Sequence, residues 1–178
     1  MYNYPISLVA SFIAMVCVST AYFMRKKSYY LLCQLLCILF LSVSYFFTLQ
    51  FFAMIGLAVG FFRAITFFIY ENKGKQASIY WSLLFSALTI ASYWIVNFQI
   101  LKTAQSLDIL CLSALILYAF IFRIRNLKIV RLAMIVPTML SILFNILTHA
   151  AFFVVLTYLF ELVANFVAIV KYYNVKEN

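Results

Sequence analysis

The strongest constraint on this chain is a series of long apolar runs separated by short polar links. A helix needs about 20 predominantly apolar residues to cross the hydrocarbon core of a bilayer, and runs of that length recur along the whole chain. They do not alternate with a period of two, as the strands of a membrane barrel do. Only 10% of the residues are charged, whereas soluble domains are about one quarter charged. The sequence therefore predicts an all-α integral membrane protein with lipid as its outer solvent.

Seven transmembrane helices account for these runs. We expect them at about residues 5–24, 29–47, 51–70, 78–98, 107–122, 129–147 and 150–170. Seven spans use roughly 140 residues of the 178 in the chain. The remainder suffices for short loops and leaves no room for a second, soluble domain.

The basic residues predict how the helices are oriented. With the N-terminus outside, eleven basic residues fall in cytoplasmic segments and only Lys102 falls in an outer one. The eleven are Arg25, Lys26, Lys27, Lys73, Lys75, Arg123, Arg125, Lys128, Arg131, Lys171 and Lys176. Because Lys and Arg collect in cytoplasmic loops, we expect the N-terminus outside and the C-terminus inside. The same rule accounts for the net charge of +9, so nucleic acid is not an expected partner.

The loops indicate an internal repeat. Helices one to three and helices five to seven share one order of basic loop, tight apolar link and basic end, with Arg25 matching Arg125 and Thr48 matching Thr148. A single fourth helix between two sets of three gives both sets the same orientation, as in transporters with parallel repeats. This 3+1+3 plan divides the chain into a first triple-helix bundle (1–76), a linker helix with its outer loop (77–106) and a second triple-helix bundle with a short cytoplasmic tail (107–178).

Two segments carry a family resemblance: GFFRAITFFIYENKG (Gly60–Gly74) and FELVANFVAIVKYY (Phe160–Tyr173). With the 3+1+3 plan, they make the chain resemble the SWEET and PQ-loop transporter superfamily and, within it, the YgjV-type bacterial inner-membrane proteins. The resemblance implies a multi-pass protein of the bacterial cytoplasmic membrane with a midplane site between the bundles. It also implies that Asn165 faces the pocket. Arg63 stands near the position at which SWEET-like proteins have a second pocket asparagine. Pro137 is placed as a hinge, although the glutamine of the PQ-loop pair does not follow it.

Two opposite charges lie deep in the apolar runs. Arg63 and Glu161 are each about twelve residues into a predicted helix, near the midplane. A lone charge there costs several kcal/mol, so such residues face the bundle interior and pair. We predict that Arg63 and Glu161 approach each other, directly or through a ligand or water. Either they form an anion or zwitterion site with a gate-like ion pair, or they form a permanent structural salt bridge.

Two asparagines extend this candidate site. Glu161 and Asn165 are four residues apart and share one helix face, and Asn145 lies toward the outer end of the sixth helix. The four polar residues are predicted to line one substrate cavity. The alternative for the asparagines is interhelical hydrogen bonding as packing. Several aromatic residues, Tyr45 and Tyr158 among them, are also candidates to line this cavity, but their positions in the sequence do not single them out.

The remaining motifs have structural explanations. Gly56 and Gly60 form a GxxxG pattern, which packs helices closely within a bundle or joins two copies in a homodimer. Cys33 and Cys37 are one turn apart with no third ligand nearby, so they are interpreted as packing residues and no metal or cofactor is expected. Asp108 opens a helix on the outer side, where it complements the dipole. His149 lies in an outer link.

These features favour a transporter over other classes. No hydrolase or phosphate-binding motif occurs, so an enzyme is not expected. The predicted function is facilitated or coupled movement of a small polar or charged metabolite. The alternatives are a non-transporting membrane protein, such as an immunity factor or accessory subunit, and a ligand receptor on the same scaffold. A transporter needs a wet cavity that reaches the midplane, whereas a structural protein has a packed centre.

Overall fold

A computed structural model of the chain describes residues 4–48, 51–100, 107–150 and 152–172. Within these residues the chain forms seven α-helices and no strand, as predicted. The helices are α1 (Tyr4–Phe23), α2 (Lys27–Phe47), α3 (Phe51–Asn72), α4 (Ile79–Trp94), α5 (Asp108–Ile121), α6 (Leu127–Leu147) and α7 (Phe152–Tyr172). A π-helical segment, Ile95–Ile100, continues α4. Among the described residues, six helical spans are long and apolar enough to cross a membrane, and α5 is shorter, with 14 residues.

Six of the helices form a closed ring in the order α1, α2, α3, α5, α6, α7, and α7 packs against α1. Over the described residues, α1 and α3 are not close neighbours, and neither are α5 and α7. Each set of three is therefore a row and not a triangular bundle. The helix α4 packs outside the ring against α3 and α5, and Tyr80 on its free face is 77% exposed.

The two rows bury equivalent positions. Residues 27–46 of α2 and 127–146 of α6 share one pattern of buried, half-buried and exposed positions at an offset of 100. In α3 and α7, the buried positions of residues 53–67 and 154–168 coincide at an offset of 101. The residue types at these positions mostly differ, so the repeat is one of packing and not of sequence.

Aromatic side chains fill much of the ring's interior. The rings of Tyr22 and Tyr30 meet edge to face with centroids 5.5 Å apart, and Tyr30 meets Phe122 in the same way at 6.3 Å. Tyr22, Tyr30 and Tyr45 are almost fully buried. A buried phenol normally finds a hydrogen-bond partner, so this core brings polar groups to the centre. Outside, large apolar residues such as Val170 are exposed, as a lipid-facing surface requires.

Four of the basic residues that the charge count assigned to cytoplasmic segments lie inside helices instead: Lys27, Lys128, Arg131 and Lys171. Lys27 is the first residue of α2, and its ammonium lies 3.0 Å from a carboxylate oxygen of Glu71 in α3. Arg131 lies in the second turn of α6 and is 1% exposed. The side chain of Asn126 caps α6 by accepting from the backbone N–H groups of residues 128 and 129. This cap starts the helix upstream of the apolar run.

Candidate functional site

The inner face of α7 carries three polar residues at intervals of one turn: Thr157, Glu161 and Asn165. Residues four apart lie above one another on a helix, and all three are buried. Thr157 donates to the backbone carbonyl of Ser11 in α1 at 3.2 Å. The helix therefore presents a polar ladder to the interior of the ring.

Glu161 is held by neutral partners from the first row. The residue is 4% exposed, and its carboxylate accepts a hydrogen bond of 2.7 Å from the hydroxyl of Tyr22. The side chain of Gln34 lies beside it and donates to the hydroxyl of Tyr30 at 3.4 Å. Residues of α1 and α2 thus orient an acidic group of α7 toward the centre.

Arg63 reaches the same region from α3. The residue is 2% exposed, and its guanidinium donates a 2.8 Å hydrogen bond to the backbone carbonyl of Leu115 in α5. It also lies 5.7 Å from the ring centroid of Tyr118 and 5.3 Å from that of Phe122, where the aromatic faces attract a cation. Among the described residues, its Nε has no hydrogen-bond partner. Within the described part of the chain, the hydrogen-bonding capacity of the guanidinium is therefore partly, but not fully, satisfied.

Arg63 and Glu161 line one cavity of about 30 Å³. Both residues are within the described part of the chain, and they form no direct salt bridge there. The permanent salt bridge considered from the sequence is thus not made in this structure. Two opposite charges instead share a small buried space without touching each other.

A second cavity, of about 20 Å³, lies beside the first and shares four wall residues with it: Leu57, Leu115, Tyr118 and Tyr158. Asn145 lines this second cavity, accepting a 2.8 Å bond from the hydroxyl of Tyr45 and donating to the Ser141 carbonyl at 2.7 Å. A cavity needs roughly 10–15 Å³ to hold one water. Each cavity therefore has room for a water or two and not for a metabolite.

Asn165 lies one turn beyond Glu161 and lines neither cavity. It is fully buried and donates a 2.7 Å hydrogen bond to the backbone carbonyl of Arg131. Its side-chain oxygen has no hydrogen-bond partner within the part of the chain that the structure describes. The structure thus groups Asn165 with α6 at one end of the ladder.

Arg131 is the buried charge that the sequence reasoning missed. It donates to the backbone carbonyl of Met24 at 2.8 Å and lies 4.8 Å from the ring centroid of Tyr172. A signal was present, because residues 131, 134, 138, 141 and 145 follow the spacing of one helix face. From the sequence, Asn145 is placed only toward the outer end of this helix, and Arg131 is counted with the basic residues of the preceding loop. Pro137 is buried on it as well, and its role as a hinge stays a prediction.

The two glycines of the GxxxG motif face the inside of the ring. A β-carbon on Gly56 would lie 2.5 Å from a methyl of Leu115, and one on Gly60 would lie 3.3 Å from the guanidinium of Arg63. Packing within the chain therefore accounts for both glycines. Asp108 is the first residue of α5 and accepts from the amide of Asn97, while His149 is exposed after α6.

Cys17, Cys33, Cys37 and Cys111 are free thiols. In the four described ranges, no group of three or more His, Cys, Asp or Glu residues is placed to hold a metal ion.

A family model described as "Bacterial inner membrane protein" and named Imp-YgjV matches residues 6–176 of the chain. No curated protein and no solved structure matches the chain.

Proposed function

Since the chain belongs to the YgjV family of bacterial inner membrane proteins, we propose that it moves a small polar or charged metabolite across that membrane. The substrate site would lie near the midplane, between Arg63 and Glu161. Asn145 and Asn165 would contribute polar groups toward its two ends. The charge count of the loops supports an outer N-terminus and an inner C-terminus.

The observation that carries the proposal is the pair of buried, opposite charges that share a cavity without a direct bond. Buried charges are costly unless they are paired and hydrogen-bonded, and in membranes such residues mark substrate and ion pathways. A zwitterionic ligand would place its carboxylate against Arg63 and its ammonium group against Glu161. A small anion would meet Arg63, and a hydroxyl group on that anion would donate to Glu161.

The repeat supports a rocking mechanism. The equivalent burial of α2 with α6 and of α3 with α7 is what a 3+1+3 plan with two parallel units requires. The two rows meet at two seams, α1 with α7 and α3 with α5, and the second seam is packed less closely. The bond from Arg63 to the carbonyl of Leu115 crosses that second seam. Opening there would release the guanidinium toward a substrate.

The cavity volumes imply a closed state. Cavities of about 30 and 20 Å³ are far below the roughly 300 Å³ of the smallest typical ligand pockets. The rows would therefore have to separate before a metabolite could enter, as alternating access demands. Pro137 in α6 is the residue we propose as the flexible point, since proline removes one helical hydrogen bond.

The packed centre also favours a second candidate. A non-transporting protein, either an immunity factor or an accessory subunit, needs only a stable ring, and its charges would be held in place permanently. A receptor on the same scaffold would bind a ligand without moving it. These candidates differ in whether a ligand binds and whether it crosses the membrane.

The test begins with a thermal-shift screen of the purified protein against sugars, amino acids, nucleosides, vitamins and small anions. A ligand of the folded state at a hundredfold excess over its Kd stabilises the protein by about 2.7 kcal/mol. We expect a hit among anions or zwitterions that is lost in Arg63→Met and Glu161→Gln. Lys73→Ala removes an exposed charge and serves as the control that keeps the shift.

Uptake of the hit into proteoliposomes then separates the candidates. Entry that exceeds protein-free vesicles and fails in Glu161→Gln supports transport. Binding without entry supports the receptor, and no shift across the panel in a protein that melts cooperatively supports the structural or accessory role.

A further inference from the structure

Arg63 and Glu161 are the only charged side chains among the described residues that line the larger central cavity. The other titratable groups around Glu161 are phenols and one thiol, which are uncharged near neutral pH. They are Tyr22 of α1, Tyr30 and Cys37 of α2, Tyr118 of α5 and Tyr158 of α7. The buried charge of α6, Arg131, does not line this cavity and donates to the backbone carbonyl of Met24. Over the described residues, Arg63 and Glu161 therefore set the net charge of the cavity.

The Arg63 side of the cavity suits a carboxylate. A guanidinium stays protonated in proteins, and its N–H groups form a fork that matches a carboxylate. The guanidinium of Arg63 donates to the carbonyl of Leu115, and its Nε bonds to none of the described residues. A carbonyl accepts a hydrogen bond but does not neutralise the positive charge. Donors thus remain for a ligand that carries a negative group.

The Glu161 side suits an ammonium group. An ionised carboxylate has about four acceptor sites, and the hydroxyl of Tyr22 occupies one of them at 2.7 Å. The side chain of Gln34 lies beside it. Phenol oxygens also accept hydrogen bonds, and aromatic rings attract cations. The carboxylate therefore keeps acceptor capacity inside a wall of uncharged groups that tolerates a cation.

Charge balance separates two classes of ligand at this site. A zwitterion adds one charge of each sign, so the cavity stays neutral while Glu161 is ionised. A monovalent anion adds only a negative charge, so the cavity stays neutral only if Glu161 carries a proton. An uncompensated charge inside the membrane is costly, and a buried group avoids that cost by changing its protonation state. The protonation state of Glu161 therefore decides which class of ligand the site accepts.

We propose that Glu161 selects a zwitterion with one carboxylate and one ammonium group, and that a proton on Glu161 reverses this preference toward monovalent anions. The selection rests on the proposed function, for which it names the substrate class and a regulation by pH. Arg63 binds the carboxylate of either class. The ammonium group and a proton taken from water compete for the carboxylate of Glu161. A fall in pH therefore weakens the binding of zwitterions and strengthens the binding of anions.

Thermal-shift titration of the purified full chain tests the selection. Each amino acid of the ligand panel is paired with the carboxylic acid of the same carbon skeleton that lacks the amino group. Both are titrated from about pH 7 down to about pH 5.5, a range in which these ligands keep their charges. For the pair that binds, the wild type near neutral pH should hold the amino acid about tenfold more tightly, the effect of one charged hydrogen bond. This preference should shrink as the pH falls.

Glu161→Gln imitates the protonated residue at every pH. It should lose the amino acid, bind the deaminated acid and show no change of preference with pH. The control Glu71→Gln removes a carboxylate that does not line the cavity and should keep the preference of the wild type. If Glu161→Gln does not melt cooperatively, the pH series of the wild type makes the same comparison.

Three results would overturn the selection. One is tighter binding of the deaminated acid by the wild type near neutral pH. Another is a preference that does not change with pH, or that changes equally in the wild type and in Glu161→Gln. Either of these would leave transport of an anion standing as the proposed function. The third, a panel in which no ligand shifts the melting of the wild type, would overturn the selection and the proposed function together.

Discussion

Helices α2 and α3 bury the same positions as α6 and α7, yet the two rows place different chemistry there. The buried Arg63 of α3 corresponds to Ala164 of α7, while Glu161 of α7 corresponds to Gly60 of α3. Each charge therefore stands opposite a small residue in the other row. The comparison teaches that the repeat fixes the shape of the ring, whereas the polar site depends on where the rows differ.

Small counterparts make room for long side chains. The guanidinium of Arg63 passes close to Gly60 of its own helix, so a side chain at that position in α3 would compete with it. In α7 the same position carries Glu161 and the Arg63 position carries alanine. The two rows thus pack in the same way, but one contributes a cation and the other an anion to the same cavity. Each row alone would hold a single unneutralised charge.

The largest expected effect concerns that pair of charges. Arg63→Met and Glu161→Gln each leave one charge alone in the cavity, and each should lower the free energy of unfolding by about 3–5 kcal/mol. The double variant should cost about 1 kcal/mol less than the sum, because groups that share a cavity are coupled. Reversible unfolding in mixed micelles measures all four proteins. Strict additivity would mean that the two charges do not interact across the cavity.

The next effect concerns the ion pair that only the first row has. Glu71→Gln should lower the free energy of unfolding by about 1.5–3 kcal/mol, because Lys27 stays mostly buried and loses its charged hydrogen-bond partner. The double variant Lys27→Leu/Glu71→Tyr copies Leu127 and Tyr172 from the second row. It should cost less than Glu71→Gln alone, because replacing both members of a buried pair avoids an orphaned charge. Thermal unfolding of both variants decides this, and a double variant less stable than the single one would break the equivalence.

A smaller effect is expected at Gly56, whose counterpart in the second row is Thr157. A methyl group on Gly56 would lie 2.5 Å from Leu115 of α5, so Gly56→Ala should cost about 1–2 kcal/mol by overpacking. Gly60→Ala is the matched comparison, because it meets only the end of a flexible arginine at 3.3 Å. Midpoints of thermal unfolding should fall further for Gly56→Ala. A larger fall for Gly60→Ala than for Gly56→Ala would show that the contact between Gly56 and Leu115 is not the tighter of the two.

The smallest effect is expected for Asn165→Ala, which copies the Ala64 counterpart. It removes the hydrogen bond to the backbone carbonyl of Arg131, and such bonds in membranes average about 0.6 kcal/mol with a maximum near 1.7. Thermal unfolding should therefore show a slight loss of stability. A loss well above that range would identify Asn165 as a support for Arg131 and not merely as a packing contact.

The sequence alone was enough to locate seven helices, with ends within a few residues of those in the structure, because apolar length is a direct requirement of the bilayer. It also placed Arg63 and Glu161 deep in their helices, and they line one cavity. It did not find Arg131 or Tyr22, the phenol partner of Glu161, and it named Tyr45, the partner of Asn145, without selecting it. Those depend on how far each helix is rotated and where its cap begins, which mean hydropathy does not specify. The row-like packing of each set was likewise not visible, because it rests on contacts between helices.

The position of α4 outside the ring has a consequence for optical measurements. Both tryptophans of the chain belong to this helix: Trp81 stacks on Phe85 and donates to the hydroxyl of Tyr70, and Trp94 is 58% exposed beside Phe98. Intrinsic tryptophan emission therefore reports on the outer helix and its lipid contacts. The tyrosines that surround the two charges are the chromophores of the interior. A ligand that binds at the central cavities and changes tryptophan emission would therefore have shifted α4 without contacting it.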